Sequence, residues 1–236
     1  MDPLITICAR SGSQGVKDKN IRRLLDRPLI AHSIDCALRW GRADRVVVST
    51  DSEEIARVAR AHGAETPFIR PASLAEGHVP KMAVVRHALH QVEQGTDKRY
   101  EVVIDLDVTA PLRHVSDVEN AFNLLITRGP LTVFSVVNAR KNPYYNVVEA
   151  DSEGFVHVVK DFGSPVTARQ LAPPVYDMNA SIHVYTREYL VDERNWHVCS
   201  PRSLPYVMED LTAVDIDSEL DLRYVEFLLK DGAYVP

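Results

Sequence analysis

The 236-residue sequence is short of several things, and each shortage excludes a class of protein. It holds three cysteines, Cys8, Cys36 and Cys199, with no zinc-ligand spacing, so neither a zinc ribbon nor a disulfide framework is expected. They read as reduced, mostly interior thiols of a cytoplasmic protein. The longest apolar runs are strand-sized, which argues against a membrane span. Met1-Asp2-Pro3-Leu4 lacks the basic region and long apolar stretch of a secretory signal. Basic charge is in deficit, with 27 Lys and Arg against 33 Asp and Glu, a net charge of −6. A broad nucleic-acid surface is therefore excluded, and any anion site must be a local patch. There is no internal repeat and no low-complexity linker. What remains is a chain that is 45% hydrophobic and 25% charged, long enough to bury a full core as a single domain.

Strand-sized apolar runs alternate with helix-length amphipathic stretches. The runs Leu4–Ala9, Arg45–Thr50, Thr66–Ile69, Val102–Leu106 and Leu131–Val137 read as strands, and Leu29–Trp40, Ser52–His62, Lys81–Gln94 and Val115–Thr127 as helices. Ser52 with Glu54 opens one helix and Gly63 closes it, while Ser116 with Asp117 and Glu119 marks another helix start. Val46–Ser49 and Val102–Ile104 are apolar on consecutive residues, as parallel strands buried on both faces require. Repeated βα units with right-handed crossovers make an α/β fold with a doubly wound, mostly parallel sheet. The rhythm breaks over Lys141–Asp177, rich in Pro, Tyr and Asn, where hairpin pieces at Val147–Glu149 and Phe155–Val159 suggest an inserted arm. The sheet resumes at Ser181–Tyr185 and Pro205–Met208, and a helix closes the chain over Glu219–Leu229.

Ligands of open α/β sheets bind beyond the carboxyl ends of the strands. The segment leaving the first strand, Arg10 to Arg23, carries five basic side chains against one acid and holds Gly12, Gly15, Ser11 and Ser13. An exposed basic loop and a phosphate cradle both fit that composition; its position after strand one favours the cradle. It is neither G-x-x-x-x-G-K-[ST] nor G-x-G-x-x-G. The acidic counterpart runs from Glu209 to Asp221, with Asp210, Asp215, Asp217 and Glu219 between them and no base. Ser218 and Asp221 read as a capping box. Asp215 and Asp217 flank Ile216 at period two, so their carboxylates share one side about 6–7 Å apart at the Cα atoms. A solvated acidic turn and a divalent-cation site are both open for this pair. Magnesium, which takes one or two carboxylates plus substrate phosphates, suits the second. Together the clusters imply a nucleoside triphosphate neutralised from two sides. Val103-Ile104-Asp105-Leu106-Asp107-Val108-Thr109 also fits the D-x-D-x-[TV] pattern of haloacid-dehalogenase-like phosphatases, with Asp105 as nucleophile, Asp107 beside it, and Ser135, a lysine (Lys141 or Lys160) and the acids Asp215 and Asp217 recruited. A non-catalytic nucleotide-binding or regulatory protein is a third reading.

From Ala9-Arg10-Ser11-Gly12-Ser13-Gln14-Gly15 through Lys19-Asn20, the sequence resembles the acylneuraminate cytidylyltransferases, the CMP-sialic acid synthetases. Further pieces follow in the same order: Val48–Asp51, Arg70–Ala75, Val108–Arg113, Met178–Ser181 and Asp215–Asp221. The resemblance implies transfer of CMP from CTP to a nine-carbon α-keto acid sugar, with Mg²⁺, in a homodimer. It implies that Arg10, Ser13, Gly15 and Lys19 hold the triphosphate, that Asn20 and Arg70 meet the cytidine, and that Asp215 and Asp217 are the metal and catalytic aspartates. It places Asp107, Thr109, Tyr145, Arg169 and Asn179 on the sugar side, Arg169 towards the sugar carboxylate. The Lys141–Asp177 arm would dimerise and reach the neighbouring site.

Departures from that pattern are Gln14 for lysine, Ala110 for serine, Asp107 for glutamine, and Asn142-Pro143-Tyr144-Tyr145-Asn146 for a His-Pro motif. Asp107 and the two tyrosines resemble the branch acting on legionaminic acid, a diacetamido relative of sialic acid. For Tyr144 and Tyr145, sugar contact and dimer packing are both open. Elsewhere, Trp40 and Trp196 read as packing residues and His183 as a satisfied interior histidine; for His78, Lys81 and Arg86, a border of the nucleotide pocket and a solvated helix start are both open.

Overall fold

The computed structural model describes residues 2–13 and 15–235. In chain order the strands and helices are β1 (Leu4–Cys8), β2 (Arg23–Leu24), β3 (Arg27–Pro28), α1 (Leu29–Trp40), β4 (Arg45–Ser49), α2 (Glu53–Ala61), α3 (Lys81–Gln94) and β5 (Val102–Leu106). They continue with α4 (Val115–Arg128), β6 (Thr132–Asn138), β7 (Val148–Ala150), β8 (Val156–Val158), β9 (Tyr176–Thr186), α5 (Arg187–Val191), β10 (Ser203–Val207) and α6 (Glu219–Lys230). A six-stranded sheet runs β10-β6-β9-β5-β1-β4. Pairs β1–β4, β1–β5 and β6–β10 are parallel, and β9 is inserted antiparallel between β5 and β6. The doubly wound, mostly parallel expectation holds.

Period-two alternation sorts the strand residues onto two cores. Ile5, Ile7, Val46, Val48, Val102 and Ile104 face α1, α2, α4 and α6, whereas Leu4, Val47 and Val103 face α3 and α5. Polar side chains also enter the second layer. Thr6 and Asp105, adjacent in register on β1 and β5, are fully buried and hydrogen-bonded at 2.9 Å.

Local signals explain most element ends. Ser52 caps α2 by accepting from Ile55 N, and Ser218 and Asp221 form the capping box of α6. Three readings need correction. The stretch Thr66–Ile69 is not a strand; only an isolated parallel bridge of Glu65 to Val47 survives there, because Pro67 cannot donate to a ladder. Helix α4 starts at Val115 as its apolar period implied, but its cap is His114, two residues before Ser116, with Asp117 accepting from the His114 backbone N–H at 2.7 Å. Trp196, 70% exposed, and Cys199 lie at the surface, while Trp40 packs edge-on against Phe122.

Strand β9 bends where its pairing with β6 changes register, between Phe134 and Val136. Ala180 takes a left-handed backbone (φ 54°) there. Asn179 holds the bend: its Oδ1 accepts from Ser135 Oγ at 2.6 Å, and its Nδ2 donates to Thr212 O at 3.3 Å. Beyond it, β7 and β8 form a hairpin with no buried residue from 148 to 158. No helix among the described residues is long and apolar enough to cross a membrane.

Candidate active site

The loop after β1 is fastened at several points. Ser11 donates its backbone N–H (2.8 Å) and hydroxyl (2.5 Å) to Asp51, which follows β4. Burial pushes the Asp51 carboxyl up, but these bonds and the nearby Arg70 outweigh it, so its pKa falls below the usual carboxylate range. Buried Asn20 donates to Arg10 O at 2.8 Å and fixes the return of the loop. At the far end, Lys19 Nζ donates to Ile216 O (2.8 Å) and to Asp217 Oδ1 (3.0 Å). Gly15 packs directly on the Asp217 backbone: a Cβ there would overlap the Asp217 carbonyl oxygen and lie 3.1 Å from its carbon. Only glycine lets the basic loop close on the acidic segment. That segment is tied in turn to the exit of β5, since Ile216 N donates to Thr109 O at 2.9 Å.

These contacts bring nine of the sequence-selected residues around one cavity of about 420 Å³: Arg10, Ser13, Gly15, Lys19, Asn20, Arg70, Asp107, Thr109 and Asp217. It lies beyond the carboxyl ends of β1, β4 and β5, the expected position for a ligand of such a sheet. Arg70, almost fully buried, stands 3.8 Å from Asp51 and leaves its Nε without a partner. Leu74, Val79 and Val84 give the same side of the cavity an apolar wall. Asp215 sits behind the lining. Burial raises its pKa, with further upward pushes from Asp107 and Asp217, and its Oδ1 is buried without a hydrogen-bond partner. An orphaned carboxylate oxygen beside a second carboxylate is what a hard divalent cation satisfies, so Asp215 and Asp217 fit magnesium. Among the described residues no cluster of three or more His, Cys, Asp or Glu forms a metal cage, so substrate phosphates would have to complete the coordination.

Three expected sugar-side residues do not reach this cavity. Asn179 is buried in the β9 bend, with its amide hydrogen-bonded to Ser135 and Thr212. Arg169 donates to Ala139 O, and Tyr145 is exposed beyond the sheet edge. Both belong to the 141–177 segment. Gln14 lies outside the described residues. Ala110 is buried, and its carbonyl accepts from Arg113 Nη2 at 2.8 Å. The Pro-Leu-Arg motif is thus structural: Arg113, fully buried, also donates to Ser181 O and Ser33 Oγ, fixing the turn that leaves β5.

Lys81 is the functional group that sequence reasoning undervalued. It bridges Asp105 Oδ2 at 3.1 Å and Asp107 Oδ2, and it lines the cavity. Burial alone would lower its pKa, but the two carboxylates raise it well above the ordinary value. Asp107 responds in kind: burial pushes it up, Lys81 and the Thr109 hydrogen bonds pull it well below the carboxylate range. A usable signal existed, since Lys81 occupies the first position of a helix with no acid in its first turn, where a cation opposes the dipole. The two residues read with it diverge: His78 is exposed, and Arg86, which is not among the cavity-lining residues, donates to Leu190 O, Asp192 O and Asn195 O. His183 is interior but not satisfied; its Nδ1 has no partner, and burial, aided by Lys81, brings its pKa down to about 4. Cys8 also lines the cavity, its thiol pushed up by burial and by Asp105.

The phosphatase reading fails on geometry. Asp105 is 0% exposed in mid-strand, hydrogen-bonded to Thr6 and ion-paired to Lys81, so no substrate phosphorus can reach it.

Comparison with known proteins agrees with the geometry. A family described as Cytidylyltransferase matches residues 4–147. The chain is 42% identical over 228 residues to "post-translational flagellin modification protein B" of Campylobacter coli, covering 97% of this chain and 95% of that one. It is 44% identical over 226 residues to the CMP-N,N'-diacetyllegionaminic acid synthase of Campylobacter jejuni, covering 96% and 94%. Its fold matches a CMP:2-keto-3-deoxy-manno-octonic acid synthetase complexed with CTP, with a TM-score of 0.71 at 15% identity, over 98% of this chain and 100% of the other.

Proposed function

The chain belongs to the cytidylyltransferase family and is a CTP-dependent enzyme; from that premise we propose that it joins CMP to the anomeric hydroxyl of a nonulosonic acid, N,N'-diacetyllegionaminic acid or a close relative, releasing pyrophosphate. One observation carries the reading: two opposite charge clusters meet at one cavity, Arg10 and Lys19 on the loop and Asp217 on the segment closed against it. The 44% identity to a CMP-N,N'-diacetyllegionaminic acid synthase supports the choice of sugar.

The triphosphate lies along the Arg10–Lys19 loop, whose backbone amides and basic side chains neutralise it. The base lies against Leu74, Val79 and Val84, within reach of Asn20 and Arg70. A magnesium ion held by Asp215 and Asp217 would supply charge neutralisation at the phosphate oxygens. As CTP enters, Lys19 exchanges Asp217 for phosphate. The anomeric oxygen attacks the α-phosphorus in line; the new O–P bond forms as the bond to the β-phosphate oxygen breaks, and the electron pair leaves with pyrophosphate. Arg10 and Lys19 stabilise that leaving charge, so positioning and electrostatics provide most of the acceleration.

Residues 141–177 act as a dimerisation arm in a cytoplasmic homodimer. Support comes from the apolar groups the arm leaves exposed, among them Phe155 at 70%, Val156 at 66% and Leu171 at 61%. The arm would bring Tyr145 and Arg169 to the partner's pocket, Arg169 to pair with the sugar carboxylate.

Pyrophosphate release with CTP and Mg²⁺ tests the reading, run in parallel on N-acetylneuraminate, N,N'-diacetyllegionaminate, pseudaminate and Kdo. The expected result is sugar-dependent release, fastest with N,N'-diacetyllegionaminate. Equal rates with all four sugars would overturn the substrate assignment, and absence of release with every one would overturn the activity.

A further inference from the structure

A cation at the first position of α3 is locally unfavourable, and two carboxylates hold it there. Asp105 belongs wholly to the core, its Oδ1 taken by Thr6. Asp107 belongs to the cavity. Its Oδ1 accepts from Thr109 N at 2.9 Å and Thr109 Oγ1 at 2.8 Å, so both lone-pair directions of that oxygen are filled. Its Oδ2 faces Lys81 and keeps one acceptor direction free. The carboxylate is thereby clamped from both ends, with a single open acceptor in a cavity-lining group.

Sheet order indicates what meets that acceptor. The basic loop leaves β1 and Arg70 follows β4, so the β4–β1 half of the cavity holds the nucleotide. Asp107 leaves β5, on the other side of β1. In-line displacement puts the attacking hydroxyl opposite the leaving pyrophosphate, hence away from the Arg10–Lys19 loop and towards β5. An anionic carboxylate there is repelled by phosphates and attracts a neutral donor, such as an acylamino N–H or hydroxyl of the acceptor sugar.

We infer that Lys81 is a positioning residue for the acceptor: by neutralising Asp105 and clamping Asp107, it orients one ionised acceptor oxygen towards a donor group of the incoming sugar. This rests on the nonulosonate reading above. The charged groups facing Asp107 are Lys81 on α3, Asp105 on β5, Arg113 on the turn after β5, Asp215 on the acidic segment and His183 on β9. Lys81 is the only one of them that touches both carboxylates and the cavity.

The test is Lys81→Met beside Lys81→Arg, with pyrophosphate release measured at saturating CTP over a range of N,N'-diacetyllegionaminate, and CTP binding measured by calorimetry. Loss of an oriented charge-assisted hydrogen bond should raise the sugar KM roughly ten- to hundredfold. CTP affinity should stay within about threefold, and arginine should recover most of the sugar KM. Because Lys81→Met leaves buried Asp105 unpaired and can unfold the chain, Lys81→Met with Asp105→Asn is the second variant; in it Asp107 is still unclamped, and the sugar effect should persist. A normal sugar KM in the folded double variant overturns the inference, as does a parallel loss of CTP binding. Wild-type enzyme run on the same plates separates the two levels, since failure of the wild type on all acylated sugars defeats the substrate reading instead.

Discussion

Gly15→Ala isolates the idea that the site exists only because the basic loop closes on the acidic segment. A Cβ at this position overlaps the Asp217 carbonyl oxygen, and the obstacle is backbone, so neither side can yield by a rotamer change. The loop and the Asp215–Asp217 segment must separate by on the order of 1 Å, a misplacement that costs about a hundredfold in rate when catalytic groups sit on both sides of it. That corresponds to about 2.7 kcal/mol of transition-state stabilisation. Lys19 should lose its two bonds to Ile216 O and Asp217 Oδ1, its bridge to the acidic segment. Gly15 is exposed and contributes nothing to either core, so the melting temperature should move by no more than a few degrees. Steady-state pyrophosphate release and a thermal melt on the same preparation read both quantities. A kcat/KM within threefold of wild type at unchanged melting temperature would refute the reasoning. Gly12→Ala is the matched control: it has a left-handed backbone (φ 67°) and no atom within 4 Å of an added Cβ, so its cost should appear as strain of about 1–2 kcal/mol in stability.

Asp215→Asn removes a proposed metal ligand and also a buried carboxylate whose pKa is raised. A raised acid costs stability at any pH above its unfolded value, so the variant should gain stability at neutral pH while losing turnover by orders of magnitude; loss of both stability and activity would count against the assignment. His183, lowered to about 4 by burial, binds its proton more weakly folded than unfolded. Its contribution is therefore present at neutral pH and lost as pH falls from about 6.5 towards 4, amounting to about 3 kcal/mol, and His183→Phe should flatten that limb of a stability-versus-pH curve. Phe155→Ser with Val156→Ser on the exposed hairpin should convert the proposed dimer to a monomer in light scattering; an unchanged mass would exclude the hairpin as the contact.

Much of the fold is legible because it is local. Two helices, Leu29–Trp40 and Lys81–Gln94, keep their sequence-read limits, and β1, β4, β5 and β6 shift by at most a residue, since hydrophobic period and caps act over one or two turns; β9 begins five residues before Ser181 and β10 two before Pro205. Thr66–Ile69 misleads because its β-like composition contains Pro67, and pairing is a property of the neighbour as well as the segment. The antiparallel insertion of β9 was not legible. It requires the long excursion through residues 141–177 and a bend held by Asn179, whose partners Ser135 and Thr212 lie 44 and 33 residues away. The same bend accounts for Asn179: the amide of this motif residue is tied to the Ser135 hydroxyl and to Thr212 in the turn after β10.

The chemistry divides along the same line. Composition and order determined that a basic glycine-containing loop follows strand one and that a pair of aspartates at period two lies near the carboxyl end, because those are properties of neighbouring residues. Tertiary structure alone decided that Gly15 touches Asp217 across some two hundred residues and that Lys81 bridges Asp105 and Asp107 instead of facing solvent. A lone charge at a helix start is ambiguous in sequence, since its energy depends on the dielectric and on counter-charges that only packing brings within a few ångströms.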